Sequence, residues 1–328
     1  MKIPGWISPI VLRDKGILGM NRRNIDYISG YNDRRHFPNV DDKLKTKLIA
    51  KKAGVSVPEL LMVVRTQREA DSIASRLDGI QQFVFKPAHG SGGKGILIVL
   101  SRKGDLFVKS NGDTLTLQDL IRHLSDIISG LYSLGGRTDV AIMETLVNFD
   151  PIFKDLSYDG VPDIRLIVFR GYPVMGMLRL ATKASDGKAN LHQGAIGVGL
   201  DLAIGESVGA VQYDRPIATH PDSGASLTGI SIPHWRTLLL LAARCYEASK
   251  LGYLGADLVL DKARGPLLLE LNARPGLTIQ VANESGLIPR LTKIEALESI
   301  STDPEHRVDY SIQHFSKRGK SAELFETI

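Results

Sequence analysis

Between Leu267 and Leu277 the chain reads LLLELNARPGL, and no other stretch constrains the fold as much. Three leucines mark a buried strand, yet Glu270 and Asn272 follow within it. Residues two apart on a strand share a face, so a carboxylate and an amide stand side by side on an otherwise apolar element. A lone buried carboxylate is expensive, and something nearby must compensate it. Arg274 is one candidate, as a buried salt bridge. A cation shared with further oxygen donors is the other. Asp257 can supply such a donor: it sits in the preceding apolar run, GADLVL, and a turn near Lys262–Gly265 makes the two runs a hairpin. Antiparallel pairing then brings Asp257 opposite Glu270 and Asn272. Three hard oxygen ligands from neighbouring strands suit Mg²⁺, with Mn²⁺ as a substitute. The eight histidines lack ligand spacing and Cys245 is the one cysteine, which disfavours softer metals.

A cation that keeps open positions calls for phosphates, and the chain offers donors for them. The segment QQFVFKPAHGSGGKGILIVL reads as a strand, a glycine-rich turn and a second strand. Because no helix follows the glycines, it is not a Walker or Rossmann loop. Gly90, Gly92, Gly93 and Gly95 let backbone N–H groups approach oxyanions closely. Lys86, at the end of its strand, and Lys43, after two aspartates, add positive charge.

Around these motifs, strands and helices intermix with antiparallel hairpins, an α+β pattern. Residues 1–40 read as an irregular basic segment. Helical spacing follows at 41–54, 66–77, 115–130, 234–250 and near 288–298. Strands are expected at the end of GVSVPELLMVV, in DVAIMETLV, and as a pair around the turn Arg170–Pro173. The stretch ASDGKANLHQGAIGVGLD reads as a loop, and the charged segment 301–328 as a poorly ordered tail. A composition of 43% hydrophobic and 23% charged residues is that of a globular chain with a sizeable core. No apolar run approaches the roughly 20 residues that span a bilayer. One thiol forms no internal disulfide, which fits a reducing compartment, so a cytoplasmic location is expected. The first 52 residues hold twelve Lys/Arg against five Asp. This is either a solvated basic face or an attraction for an anionic ligand. Aromatics are sparse and no nucleic-acid module is present, which argues against nucleic acid as a partner.

The segments DDKLKTKLIAKKAGVSVPE, FVFKPAHGSGGKGI, IMETLV, DIRLIV, NLHQGA, GADLVL and LLELNARPG stand in an order that resembles the ATP-grasp superfamily, with RimK-type glutamate ligases nearest in look. The resemblance covers about residues 41–290. It implies an ATP-grasp fold at 41–300, with subdomains at about 41–146 and 147–300 holding ATP between their sheets. A short N-terminal segment stands in place of a full preceding domain. By the same resemblance Lys43 and Lys86 contact phosphates, and His89, Gly90, Ser91, Gly92, Gly93 and Gly95 belong to a lid over them. The backbone of Glu144, Thr145 and Leu146 reads the adenine edge. Asp257, Glu270 and Asn272 hold Mg²⁺, while Arg165, Arg179, Lys183 and Asn190 face phosphate or acceptor. The implied activity is an ATP-dependent carboxylate–amine ligase that activates an acceptor carboxylate, on a peptide or small acid, as an acylphosphate and joins it to a glutamate-like amino acid. An ATP-grasp kinase acting on a hydroxyl and a non-catalytic nucleotide-binding module are the alternatives. Gln193 and Ala195 depart from the RimK-type pattern where acceptor selection is expected, so the substrate does not carry over. Oligomeric state, a homo-oligomer included, is left open.

Overall fold

The computed structural model describes residues 8–90, 92–133 and 135–316. Ser91, expected in the lid, and residues 317–328 of the expected tail lie outside these. Among the described residues the strands form two antiparallel sheets.

The smaller sheet holds β1 (Leu60–Val64), β2 (Phe83–Pro87), β3 (Leu97–Lys103), β4 (Leu106–Lys109), β5 (Thr114–Leu115) and β6 (Ala141–Glu144), in the order β1-β6-β2-β3-β4-β5. Phe83, Phe85, Val99, Phe107 and Met143 pack with Leu120, Leu124 and Ile127 of the helix Leu117–Ser129. The spacing of those three helical residues turns one apolar stripe toward the sheet. That helix begins on a reciprocal cap between Thr116 and Asp119 and ends at Gly130. Gly130 is required twice: its φ is +89°, and a Cβ there would lie 2.1 Å from the Arg137 carbonyl oxygen.

The larger sheet holds β7 (Asp163–Phe169), β8 (Tyr172–Leu180), β9 (Ile196–Leu200), β10 (Ser207–Gln212), β11 (Arg215–Pro216), β12 (Tyr253–Asp261) and β13 (Gly265–Asn272), in the order β11-β10-β9-β8-β7-β12-β13. The helix Trp235–Ser249 packs on it, its buried Leu238, Leu239, Ala242 and Cys245 following helical spacing. Hairpin β12–β13 aligns Asp257 with Glu270 and Gly255 with Asn272, with a bulge after Asp257. The helix Lys43–Lys52 starts on the Asp42 side chain, which accepts the Lys45 N–H.

Four expectations need correction. Residues 9–41 are not irregular: Pro9–Asp14, Met20–Arg22, Arg23–Ser29, Arg34–His36 and Pro38–Asp41 are short helical pieces, and Leu18, Tyr27, Ile28 and Val40 join the large core. The helix expected over 66–77 is two, Gln67–Asp71 and Ile73–Arg76, parted at Ser72, whose hydroxyl bonds back to the carbonyls of Arg68 and Glu69. The stretch read as a loop contains β9. Its glycines hide the strand signal, yet a Cβ on Gly199 would lie 2.2 Å from the Ala282 carbonyl oxygen. The segment after Ser301 forms the helix Pro304–Phe315, with Arg307, Val308, Ser311 and Phe315 buried.

Candidate active site

A charged row crosses four strands of the larger sheet. Asp163 and Arg165 alternate onto one face of β7; Arg179 is paired with Asp163 in register, and Asp257 with Arg165. Arg165 grips Asp257 with both arms of its fork, Nε to Oδ1 at 2.7 Å and Nη2 to Oδ2 at 2.5 Å. Arg179 donates to both oxygens of Asp163, at 2.5 and 2.9 Å, and to Asp257 Oδ2 at 2.7 Å. Burial pushes the Asp257 carboxyl upward, but the Arg165 and Arg179 guanidiniums outweigh it and hold Asp257 well below the usual carboxylate range. Asp163, where burial dominates over the pull of Arg179, is pushed up to about 6.

Glu270 ends the row on β13. Among the described residues no hydrogen bond or ion pair engages its carboxylate, and burial, reinforced by the charge of Asp257, raises its pKa. Arg274 does not compensate it: the guanidinium lies over the Phe37 ring, 4.8 Å from its centre. Asn272 Oδ1 accepts the Arg274 backbone N–H at 2.7 Å and keeps a second lone pair.

These side chains open onto a cleft of about 800 Å³ between the two sheets. From the smaller sheet and its glycine turn come Lys86, Gly90, Gly92, Gly93 and Lys94, from the start of the helix Lys43–Lys52 comes Lys43, and from the larger sheet and its loops come Asp163, Arg165, Arg179, Asn190, Glu270 and Asn272. Lys86, next to last in β2, pairs with Glu144 at 2.6 Å, and the Lys47 ammonium lies 3.0 Å from the other oxygen of Glu144. Burial lowers the pKa of Lys43, whose ammonium donates to the Gly90 carbonyl. The same cause brings Lys47 down to about 8.

Several expected residues stand elsewhere. Asp257 is 1% exposed and both its oxygens are taken by arginines, so it is not an open metal ligand beside the other two. Among the described residues no three His, Cys, Asp or Glu side chains form a metal cage. The donors that fit a hard divalent cation are the unengaged Glu270 carboxylate and Asn272 Oδ1, with Asp257 directly beside Glu270. Glu144, Thr145 and Leu146 do not line the cleft. The Glu144 side chain holds two lysines, the Thr145 N–H goes to the Glu59 carbonyl, and Arg264 takes the Leu146 carbonyl at 2.8 Å. His89 is turned to the root of the glycine turn, its Nδ1 2.7 Å from the buried Asp139. Gly95 packs beneath Tyr132, and Lys183 lies 5.6 Å over the Tyr158 ring.

Lys47, Lys94, Asp139 and Asp163 were missed. Lys47 had a signal, since it follows Lys43 by four and shares its helix face. Asp163 precedes Arg165 by two on a strand and had one as well. Lys94 and Asp139 had none.

A family model for sugar-transfer associated ATP-grasp proteins matches residues 22–296. No curated protein matches the sequence. Among solved structures the chain is similar to the ATP-grasp ligase PsnB complexed with minimal precursor, at 12% identity over 86% of this chain and 63% of that one, with a TM-score of 0.42. It is similar to D-alanyl-alanine synthetase A from Vibrio cholerae at 10% identity, over 85% and 66%, with a TM-score of 0.45. For D-alanine–D-alanine ligase from Bacillus anthracis, complexed with ATP, the figures are 16%, 88%, 70% and 0.40. The chain spans about three fifths of the length of the first structures it matches.

Proposed function

Because the chain belongs to the sugar-transfer associated ATP-grasp family, we propose that it is an ATP- and Mg²⁺-dependent carboxylate–amine ligase. One observation supports the reading: the unengaged Glu270 and the adjacent Asn272, in one row with Arg165 and Arg179, share a single cleft with Lys43, Lys86 and the glycine turn. A cleft with this balance of charge suits a triphosphate and its cation, whereas an apolar ligand would leave the carboxylate uncompensated. We take the two sheets as subdomains meeting near residue 146, with residues 1–40 as a short segment before them.

Glu270 and Asn272 would hold the cation, with Asp257 joining them as Arg165 and Arg179 turn to phosphate oxygens. Bound Mg²⁺ would offset charge on the phosphates. Lys43 and Lys86 would do the same from the opposite wall, and the N–H groups of Gly90, Gly92 and Gly93 would cover the phosphates and exclude water. In the first step an acceptor carboxylate oxygen attacks the γ-phosphorus and ADP leaves, giving an acylphosphate. An amine then attacks the acyl carbon, phosphate leaves, and the amine's proton passes to solvent as the amide forms. The chain's part is positioning and charge neutralisation. The likeness to RimK-type glutamate ligases rests on motifs alone, and glutamate as the added amino acid belongs to this proposal with it.

Hydroxylamine intercepts an acylphosphate and leaves a phosphate ester intact. Screened against a set of acids with ATP and Mg²⁺, the protein should yield hydroxamate matched to ADP for at least one, and Lys86→Ala should lower the yield at least 100-fold. ADP formed with a hydroxylamine-resistant phosphate ester would make the protein a kinase instead.

A further inference from the structure

Part of the cleft wall is loop rather than sheet. Tyr158 and Asp159 come from the loop before β7, and residues 186–190 from the loop after β8. The two loops press together. A Cβ on Gly160 would lie 2.2 Å from the Gly187 carbonyl oxygen, and the Tyr158 N–H donates to the Ala181 carbonyl at 3.0 Å. Connecting segments are ordinarily the mobile parts of a fold, and those that present groups to a substrate need support from behind.

That support comes from a tight turn over residues 219–226. Thr219 pairs with Ser226, and the His220 N–H donates to the Ala225 carbonyl at 2.8 Å. His220 is 2% exposed and does not line the cleft. Its Nε2 lies 3.2 Å from the Ala181 carbonyl oxygen, which only accepts, so Nε2 carries the hydrogen. Nδ1 is then left to accept, and it takes the Asp222 N–H at 3.2 Å. Asp222 Oδ2 in turn accepts the Lys183 N–H at 2.8 Å. The Ser223 hydroxyl reaches the other loop, donating to the Asp155 carbonyl at 2.7 Å. Thr182 and Ser185, both buried, close the near end of the second loop: the Thr182 N–H donates to Ser185 Oγ at 2.9 Å, and the Thr182 hydroxyl to the Gly194 carbonyl at 2.9 Å.

Each bond in this chain runs in the one sense its atoms allow, and the Ala181 carbonyl is shared by His220 and Tyr158, one from the turn and one from the first loop. A satisfied buried network adds little net stability and instead fixes a single geometry. Here the geometry fixed is that of both cleft loops at once. The groups assigned above to the phosphates and the cation, Lys43, Lys86, the glycine turn, Glu270 and Asn272, stand on other segments. Among the described residues no hydrogen bond joins them to the 219–226 turn. We propose that His220, acting through Ala181 and Asp222, is a positioning residue for the acceptor acid and not for the nucleotide. Its assignment to the acid rests on the ligase reading, but the brace does not.

Hydrogen exchange on the full chain, without ligand, reads the brace directly. Asp222 is exposed, so Asp222→Ala should stay folded while amides of residues 183–188 exchange at least tenfold faster, with β7 and β8 unchanged. Asp222→Asn keeps an acceptor oxygen and should restore wild-type exchange. His220→Ala should loosen residues 156–160 as well. Calorimetry should find ATP affinity within twofold of wild type in all three variants. With the acid that yields hydroxamate, KM for the acid should rise at least tenfold in Asp222→Ala and His220→Ala, and return in Asp222→Asn. Unchanged exchange in Asp222→Ala, an Asn variant as loose as the Ala variant, or ATP affinity that falls with the loop overturns the proposal. Loosened loops in a protein that forms no hydroxamate with any acid uphold the brace and overturn the ligase reading. Hydroxamate formed with an unmoved KM for the acid does the reverse, leaving the ligase reading and removing the positioning role.

Discussion

Glu144 holds two lysines on one carboxylate, with Lys47, Lys86 and Glu144 all buried. Such a trio carries a net positive charge beneath the cleft, which is the sign a phosphate requires. The cost falls on Lys47, which burial takes from the ordinary 10.5 down to about 8 despite Glu144. Below about 8 both folded and unfolded chains are protonated there and the penalty is full. Between 8 and 10.5 the unfolded chain holds more protons, so stability rises with pH in that window. Chemical denaturation at pH 7.5 and 10 should show wild type gaining on Lys47→Met, by up to about 3 kcal/mol. An unchanged difference would contradict the buried-lysine assignment. At this scale the sequence was legible where chemistry depends on near neighbours. Lys86 was visible beside its glycine turn, and Glu270 beside Asn272. The arginine grip on Asp257 was not, because Arg165 and Arg179 arrive from strands remote in sequence. Lys47 was passed over because a helical lysine ordinarily reads as solvated.

The glycine turn between β2 and β3 is the element on which nucleotide retention depends. Gly92 and Gly93 have φ of +63° and +75°, with open space on all sides of a would-be Cβ. N–H groups in such a turn are compensated by water or by an oxyanion. Hydrogen exchange at Gly90, Gly92 and Gly93 should slow at least tenfold when ATP and Mg²⁺ are added, while exchange in β12 stays unchanged. Equal exchange with and without nucleotide would remove the lid role. Elements were legible where one signal dominates, as in this turn and in hairpin β12–β13. Strand β9 was hidden by Gly197, packed against Met177 and Leu191, and by Gly199, packed against the Ala282 backbone. The helix Pro304–Phe315 was hidden by its charge, since one of its fully buried residues is an arginine.

That arginine ties the last helix to the whole. Arg307 is fully buried, donating to both oxygens of Glu247 at 2.6 and 2.9 Å and to the Ser301 carbonyl at 3.0 Å. It lies outside the cleft lining, and its partner Glu247 is half-exposed, so Arg307→Ala should lower stability by about 2 kcal/mol, from the cavity and the lost hydrogen bonds, and leave nucleotide affinity within twofold. A loss of affinity without a loss of stability would place the helix in the site. Across the molecule, the smaller sheet supplies lysines and the glycine turn, and the larger supplies the charged row ending at Glu270. The central claim is that these meet around a magnesium nucleotide. Calorimetric titration with ATP, with and without excess Mg²⁺, on wild type and Glu270→Gln tests it most directly. Burial raises the Glu270 pKa, so its ionised form destabilises the fold at neutral pH, and Gln should melt no lower than wild type. Wild type should bind ATP at least tenfold more tightly with Mg²⁺ than without, and the folded Glu270→Gln protein should lose that gain. Equal Mg²⁺ enhancement in both proteins, or no ATP binding to wild type, would contradict the account.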